Sequence, residues 1–138
     1  MAGYKHIEAC TGEYIAGRYR CAVEAGIGAN PVAAEILHRS GALLRGIDIR
    51  DRSLPAGLPF AIDDVFSPDL SLYEHADVIY AIRPGIEMIP PLIAIARTIG
   101  CDLIVYHLGF ESWGDGGEVI DCGVHLHRYH RASEAVER

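Results

Sequence analysis

Val23-Glu24-Ala25-Gly26-Ile27-Gly28-Ala29-Asn30-Pro31 is the stretch that decides the fold. Cys21-Ala22-Val23-Glu24 reads as a short strand ending at Gly26. Asn30-Pro31 then opens a helix, because Asn suits the N-cap and Pro at the first helical position loses no needed hydrogen bond. That helix runs through Val32, Ile36 and Leu37 and stops near Ser40-Gly41. Between the two elements, Gly26 and Gly28 permit a tight turn and put no Cβ between the backbone and a ligand. The helix start directs its free N–H groups and positive dipole end at the same space. A Gly-x-Gly alone says little; set between a strand and a helix, it marks a ligand loop.

Outward from this loop, short apolar runs alternate with helical ones. Lys5 to Tyr19, with Ile7, Cys10, Tyr14 and Ile15, predicts a helix ahead of the first strand. Leu43 to Ile49 predicts a second strand, and Phe60-Ala61-Ile62 a third, after a loop punctuated by Pro55, Gly57 and Pro59. Leu70 to Glu74 has room for a helical turn or two. Ala76 to Ile82 is almost wholly apolar, as a strand covered on both faces should be. Ile86 to Ile99 predicts a helix that Pro90-Pro91 must start or kink. Cys101 to Leu108 is a fifth strand, and Val119 to Leu126 reads as a last one after the turn at Gly114 to Gly117. This rhythm predicts a Rossmann-like α/β domain over residues 1–138, a mostly parallel sheet of five to six strands with helices on both faces.

Composition narrows the function classes. Half of the 138 residues are hydrophobic and 22% are charged, which suits a chain that buries a core. A formal net charge of −7 disfavours broad nucleic-acid binding, although Arg128 and Arg131 with His125, His127 and His130 form a candidate local basic patch. No apolar run is long enough to span a membrane, and Met1 to His6 lacks the pattern of a secretory signal. Cys10, Cys21, Cys101 and Cys122 make no Cys-x-x-Cys pair and read as buried thiols of a cytoplasmic protein.

Acids stand where a ligand needs them. The second strand ends at Asp48, about twenty residues past the glycines, where a carboxylate can accept hydrogen bonds from both ribose hydroxyls. The third ends at Asp63-Asp64, either of which can meet an adenine amino group or cap the following turn. The candidate set for an adenosine-containing small molecule is Glu24, Gly26, Ile27, Gly28, Asn30, Asp48, Ile49, Asp63 and Asp64.

Val23 to Gly28, an acid-x-Gly-x-Gly after the first strand, resembles the first motif of class I S-adenosylmethionine-dependent methyltransferases. The likeness runs from about residue 5 to residue 110. In that superfamily Asp48 would bind ribose and Asp63 or Asp64 would contact adenine. Pro31 stands where a dinucleotide oxidoreductase would more often have a third small residue. The whole chain is similar to a small uncharacterised archaeal protein family with such a core, through Val23–Pro31, Ile62–Pro68, Ile79–Pro84 and Leu108-Gly109. The resemblance implies S-adenosylmethionine as cofactor and leaves the methyl acceptor open.

Two residues are candidates for catalysis. Arg83 follows the fourth strand and can bind a carboxylate or phosphate, or pair with Glu87, Asp48 or Asp63. His107, at the end of the fifth, is a candidate base or a hydrogen-bonded rim residue. The superfamily's Asn-Pro-Pro-aromatic signature of amino methylation on bases is absent. His125, His127 and His130 have no acid or cysteine at ligand spacing, so they read as a solvated strand face and no metal is expected. Glu111, Asp115 and Glu118 read as surface charges near a glycine-rich turn. With room for one hairpin after Leu108, the acceptor site is small. A large partner or a second subunit, as in a homodimer, would complete it, or the domain binds without catalysis. The competing reading is a regulatory sensor of NAD or another nucleotide; a scaffold with an empty loop is the third.

Overall fold

The computed structural model describes residues 4–133. Met1 to Gly3, read above for a secretory signal, lie outside the described residues. Helix α1 spans Tyr4–Arg18, strand β1 Ala22–Ala25, α2 Val32–Arg39, β2 Leu43–Asp48 and β3 Phe60–Ile62. A 3₁₀ turn at Leu70–Tyr73 leads to β4, Val78–Ile82. A second turn at Ile86–Met88 runs into α3, Ile89–Ile99, which is followed by β5, Asp102–Tyr106. Pro90 and Pro91 fall in the first turn of α3, where a missing N–H costs nothing, so they start this helix without kinking it. Gly100 stops it in the left-handed conformation, at φ 86°.

The seven strands lie in the order β3-β2-β1-β4-β5-β7-β6. The first five positions are parallel, and β7 and β6 close the sheet antiparallel. The expected last strand, Val119 to Leu126, is corrected here. That stretch folds into a hairpin of β6, Glu118–Asp121, and β7, His125–His130. Its turn is made where Gly123 takes φ 102° and donates to the Asp121 carboxylate. This raises the strand count to seven.

Alternation along the strands feeds two cores. Val23, Ile79, Leu103 and Val105 face α3 through Ile89, Leu92, Ile95 and Ala96. Ala22, Val78, Tyr80 and Ile104 face the other way, toward Ile15 of α1, Ala33 and Leu37 of α2, and Leu126. Helices thus cover both faces. Burying the valine, leucine and isoleucine side chains among them stabilises by roughly 1.5–3 kcal/mol each. Helices α1 and α2 approach closely at Gly12, where a Cβ would stand 3.1 Å from the Ala33 backbone. Of the four free cysteines, Cys101 alone is buried; Cys10 on α1, Cys21 just before β1 and Cys122 between β6 and β7 are half-buried.

From β1 the chain goes through α2 to β2 on one side, and later returns to β4 on the other. The connections diverge beyond the carboxyl ends of β1 and β4, where such sheets hold their ligands.

Candidate functional site

The glycine loop lies at that point of divergence. Gly26 and Gly28 adopt φ of 70° and 60°, which only glycine enters freely. The N–H groups of Gly26 and Ile27 both donate to the Ile47 carbonyl, at 2.8 and 3.0 Å. Gly28 N–H donates to Asp48 Oδ2 at 2.7 Å. Asp48 therefore fastens the loop to the end of β2. Burial works to raise its pKa, but the N–H groups of Gly28 and Arg50 and the Arg52 side chain outweigh it and hold the carboxyl low. Asn30 Oδ1 accepts the Val32 N–H at 3.2 Å, so α2 begins one residue later than expected, with Pro31 as its cap.

Beside this loop opens a cavity of ≈ 240 Å³, bordered by Gly26, Asp48, Ile49, Asp63, Asp64, Val65, Phe66, Glu87 and Met88. Ile49 and Phe66 are 62% and 59% exposed, two apolar walls turned to solvent. Asp63 accepts the Asp69 N–H and Asp64 the Phe66 N–H, so each shapes the loop after β3 and both also line the cavity. Four carboxylates border it, and among the described residues no lysine or arginine does.

Of the residues picked from sequence, Gly26, Asp48, Ile49, Asp63 and Asp64 meet here. Gly28 and Asn30 brace the loop instead. The Ile27 side chain is turned inward, 3% exposed and packed over Gly46, where a Cβ would lie 2.8 Å from its Cδ1. Only the Ile27 backbone belongs to the loop surface.

Glu24 lies on the opposite face of the sheet from α3, 2% exposed, and Tyr80 donates to its Oε1 at 2.8 Å. Burial pushes its carboxyl up to about 8, opposed by the Tyr80 hydrogen bond and helped by the nearby Glu8. Glu8 is the residue that sequence reasoning missed. It is 2% exposed on α1, and its Oε2 receives Arg83 Nη1 at 2.7 Å. The partners expected for Arg83, namely Glu87, Asp48 and Asp63, are corrected to Glu8. Arg83 adopts φ 54° directly before Pro84, a costly conformation for a non-glycine residue. Its N–H donates to the Tyr106 carbonyl and its guanidinium lies 5.6 Å from the Tyr106 ring. The signal for Glu8 was present in the spacing, since Glu8, Thr11 and Ile15 form one stripe of α1.

His107 is not near the glycine loop's cavity. It is 4% exposed, its Nε2 lies 2.6 Å from the Tyr129 hydroxyl, and it borders a different cavity. The C-terminal basic patch is neutralised: Arg128 and Arg131 both pair with Glu118, and Arg128 also with Asp102. His130 Nδ1 donates to the Cys101 carbonyl. Among the described residues no cluster of histidine, cysteine or carboxylate is arranged to hold a metal. Nor is any helix among them long and apolar enough to cross a membrane.

The model of one protein family, the uncharacterised protein family UPF0146, matches residues 11–131. The chain belongs to that family. A UPF0146 protein of Archaeoglobus fulgidus is 38% identical over 94 residues, which are 67% of this chain and 72% of the relative. Another from Pyrococcus horikoshii is 30% identical over 112 residues, 78% and 86% of the two chains. Two solved structures share the fold. One is a putative ribosomal RNA methyltransferase from Plasmodium falciparum, with TM-score 0.51, 18% identity, and coverage of 77% of this chain and 76% of that one. The other is the sugar N-methyltransferase KedS8 from Streptoalloteichus sp ATCC 53650, with TM-score 0.54 and 17% identity. There the match covers 91% of this UPF0146 chain but 62% of the enzyme. At such identities the likeness is one of fold, a methyltransferase-type Rossmann core.

Proposed function

We propose that this UPF0146 protein binds S-adenosylmethionine in the cavity beside Gly26. The observation that carries the reading is the charge of that cavity: Asp48, Asp63, Asp64 and Glu87 line it, with no lysine or arginine among the described lining residues. A sulfonium with an ammonium group suits such a site; a pyrophosphate does not. Moreover, the N–H groups of Gly26, Ile27 and Gly28 already donate within the protein, leaving none of the three for a phosphate. This argues against NAD. Asp48 would hold the ribose, Asp63 or Asp64 the adenine amino group, and Ile49 and Phe66 the faces of the base. When bound, the cofactor would supply a methyl group for transfer to an acceptor.

A module that binds this ligand without turnover is the second reading, and one observation favours it. Arg83 is committed to Glu8, and His107 lies outside the cavity, so neither candidate catalytic group stands free beside the ligand.

Calorimetric titration tests the binding. S-adenosylmethionine and S-adenosylhomocysteine should bind at micromolar levels and NAD should not. Phe66→Ala, which changes an exposed side chain, should weaken both by about tenfold, as loss of a stacking face would. Asp48→Ala should abolish binding. If NAD alone bound, the nucleotide sensor would replace this reading; if none bound, the cofactor assignment would fall. Transfer of labelled methyl groups to RNA, protein or small-molecule pools then separates enzyme from binder.

A further inference from the structure

One strand further along the sheet, at the carboxyl end of β5, lies a second cavity of ≈ 320 Å³ that shares no lining residue with the first. Tyr106, His107, Phe110, Glu111, Ser112 and His127 border it. Its hydrogen-bonding capacity is unevenly filled. His127 Nδ1 lies 2.7 Å from the Gly116 carbonyl. A carbonyl only accepts, so the ring hydrogen sits on Nδ1 and the neutral ring keeps a lone pair on Nε2. The Tyr129 oxygen accepts the Trp113 N–H at 2.9 Å and stands 2.6 Å from His107 Nε2. That contact occupies one nitrogen of the His107 ring and leaves the other, Nδ1, to find its own partner. That atom is buried without a partner. Burial, with His127 alongside and Glu111 opposing, holds the His107 pKa below its ordinary value.

The charge and shape of the cavity select a ligand class. Glu111 is its one carboxylate, and no lysine or arginine borders it among the described residues. An anion would meet Glu111 with no lysine or arginine beside it to offset the repulsion. Phe110 is fully exposed, a ring with no protein surface against it. A carboxylate, aromatic faces and an unoccupied imidazole lone pair suit an ammonium group attached to a ring. The protein's net charge of −7 adds attraction for cations at a distance.

We propose that this cavity is a binding site for a small organic amine on a ring-shaped body, distinct from the adenosine-type site. NMR titration with three probes of like shape tests it: benzylamine, benzyl alcohol and benzoate. Benzylamine should shift the His107 and His127 imidazole signals and the Ser112 amide, with affinity at least about tenfold above benzyl alcohol, and benzoate should shift none. Glu111→Gln should weaken benzylamine about tenfold and leave benzyl alcohol unchanged; Glu111 is exposed, and an unaltered amide spectrum elsewhere shows that the variant folds. Benzoate binding as well as benzylamine would overturn the proposal. So would an unaffected Glu111→Gln, or the absence of shifts at about 10 mM probe, well above a millimolar Kd. The amides of Gly26, Ile49 and Asp64 report the other cavity in the same spectra. Failure of one site is thereby read separately from failure of the other.

Discussion

Arg83 and Glu8 depend on each other at the level of single side chains. Glu8 is buried, its Oε1 has no partner, and its other oxygen rests on Arg83. Removing the guanidinium leaves a carboxylate stranded, so Arg83→Ala should cost about 3 kcal/mol in urea unfolding. The double variant Glu8→Gln/Arg83→Met should cost clearly less than Arg83→Ala, since no charge is then stranded. If the two cost the same, a stranded Glu8 carboxylate is not what makes Arg83→Ala costly. Glu24 yields a prediction in pH. Its folded pKa, about 8, lies above the 4.5 of a free glutamate. Between those values the folded state holds a proton that the unfolded state has released. Glu24 therefore makes the protein less stable as pH rises from 4.5 toward 8. Glu24→Gln should remove that fall, and near pH 8 the gain should exceed about 1.4 kcal/mol, the worth of one pH unit. Parallel unfolding curves for variant and parent across this range would refute the assignment.

The elements themselves were largely legible. Apolar spacing and punctuation placed β1 to β5 and the three helices; β1, β4 and β5 bury nearly continuous runs, while β3, with no buried residue, was legible from the Pro and Gly that precede it. The C-terminal hairpin was not, and the reason is local. Asp121-Cys122-Gly123-Val124 carries a turn within a stretch whose Ile120, Cys122, Val124 and Leu126 preserve strand-like alternation, so one strand and two look alike. Hydrogen bonding from Gly123 to Asp121 decides the matter, and no periodicity reports it. Close packing between elements is equally silent in sequence. Gly12 touches the Ala33 backbone across the α1–α2 crossing. Gly12→Val should force the helices apart and cost about 2 kcal/mol, whereas Gly17→Val, where a Cβ meets nothing within 4 Å, should cost under about 1 kcal/mol. Thermal unfolding of the two variants compares them directly.

At the scale of the whole molecule, the strand order could not be derived from pattern, because each βα unit is compatible with either side of β1. Only the finished sheet shows that β4 lies against β1, and that the carboxyl ends of β1 to β3 share one cavity. The acids on β2 and β3 were readable one by one, since they end strands. Glu8 escaped because its partner Arg83 is 75 residues away. A ligand that bridges the ends of several strands should stabilise the entire fold. S-adenosylmethionine at a hundred times its Kd should add about 2.7 kcal/mol and raise Tm by roughly 10 °C. A melting curve indifferent to the ligand would deny that it binds the folded state.

The sheet ends on one side in β6, four residues with Glu118 and Asp121 at its two ends and Glu118 tied to Arg128 and Arg131. An outer strand offers unpaired amides on which another chain can grow. Here that rim is only four residues long and carried by a protein with a net charge of −7, so an approaching copy meets repulsion of like overall sign and little backbone to align on. Lengthening that strand would turn a terminus of the sheet into a template, and the first symptom would be fibres or precipitate in a protein still natively folded.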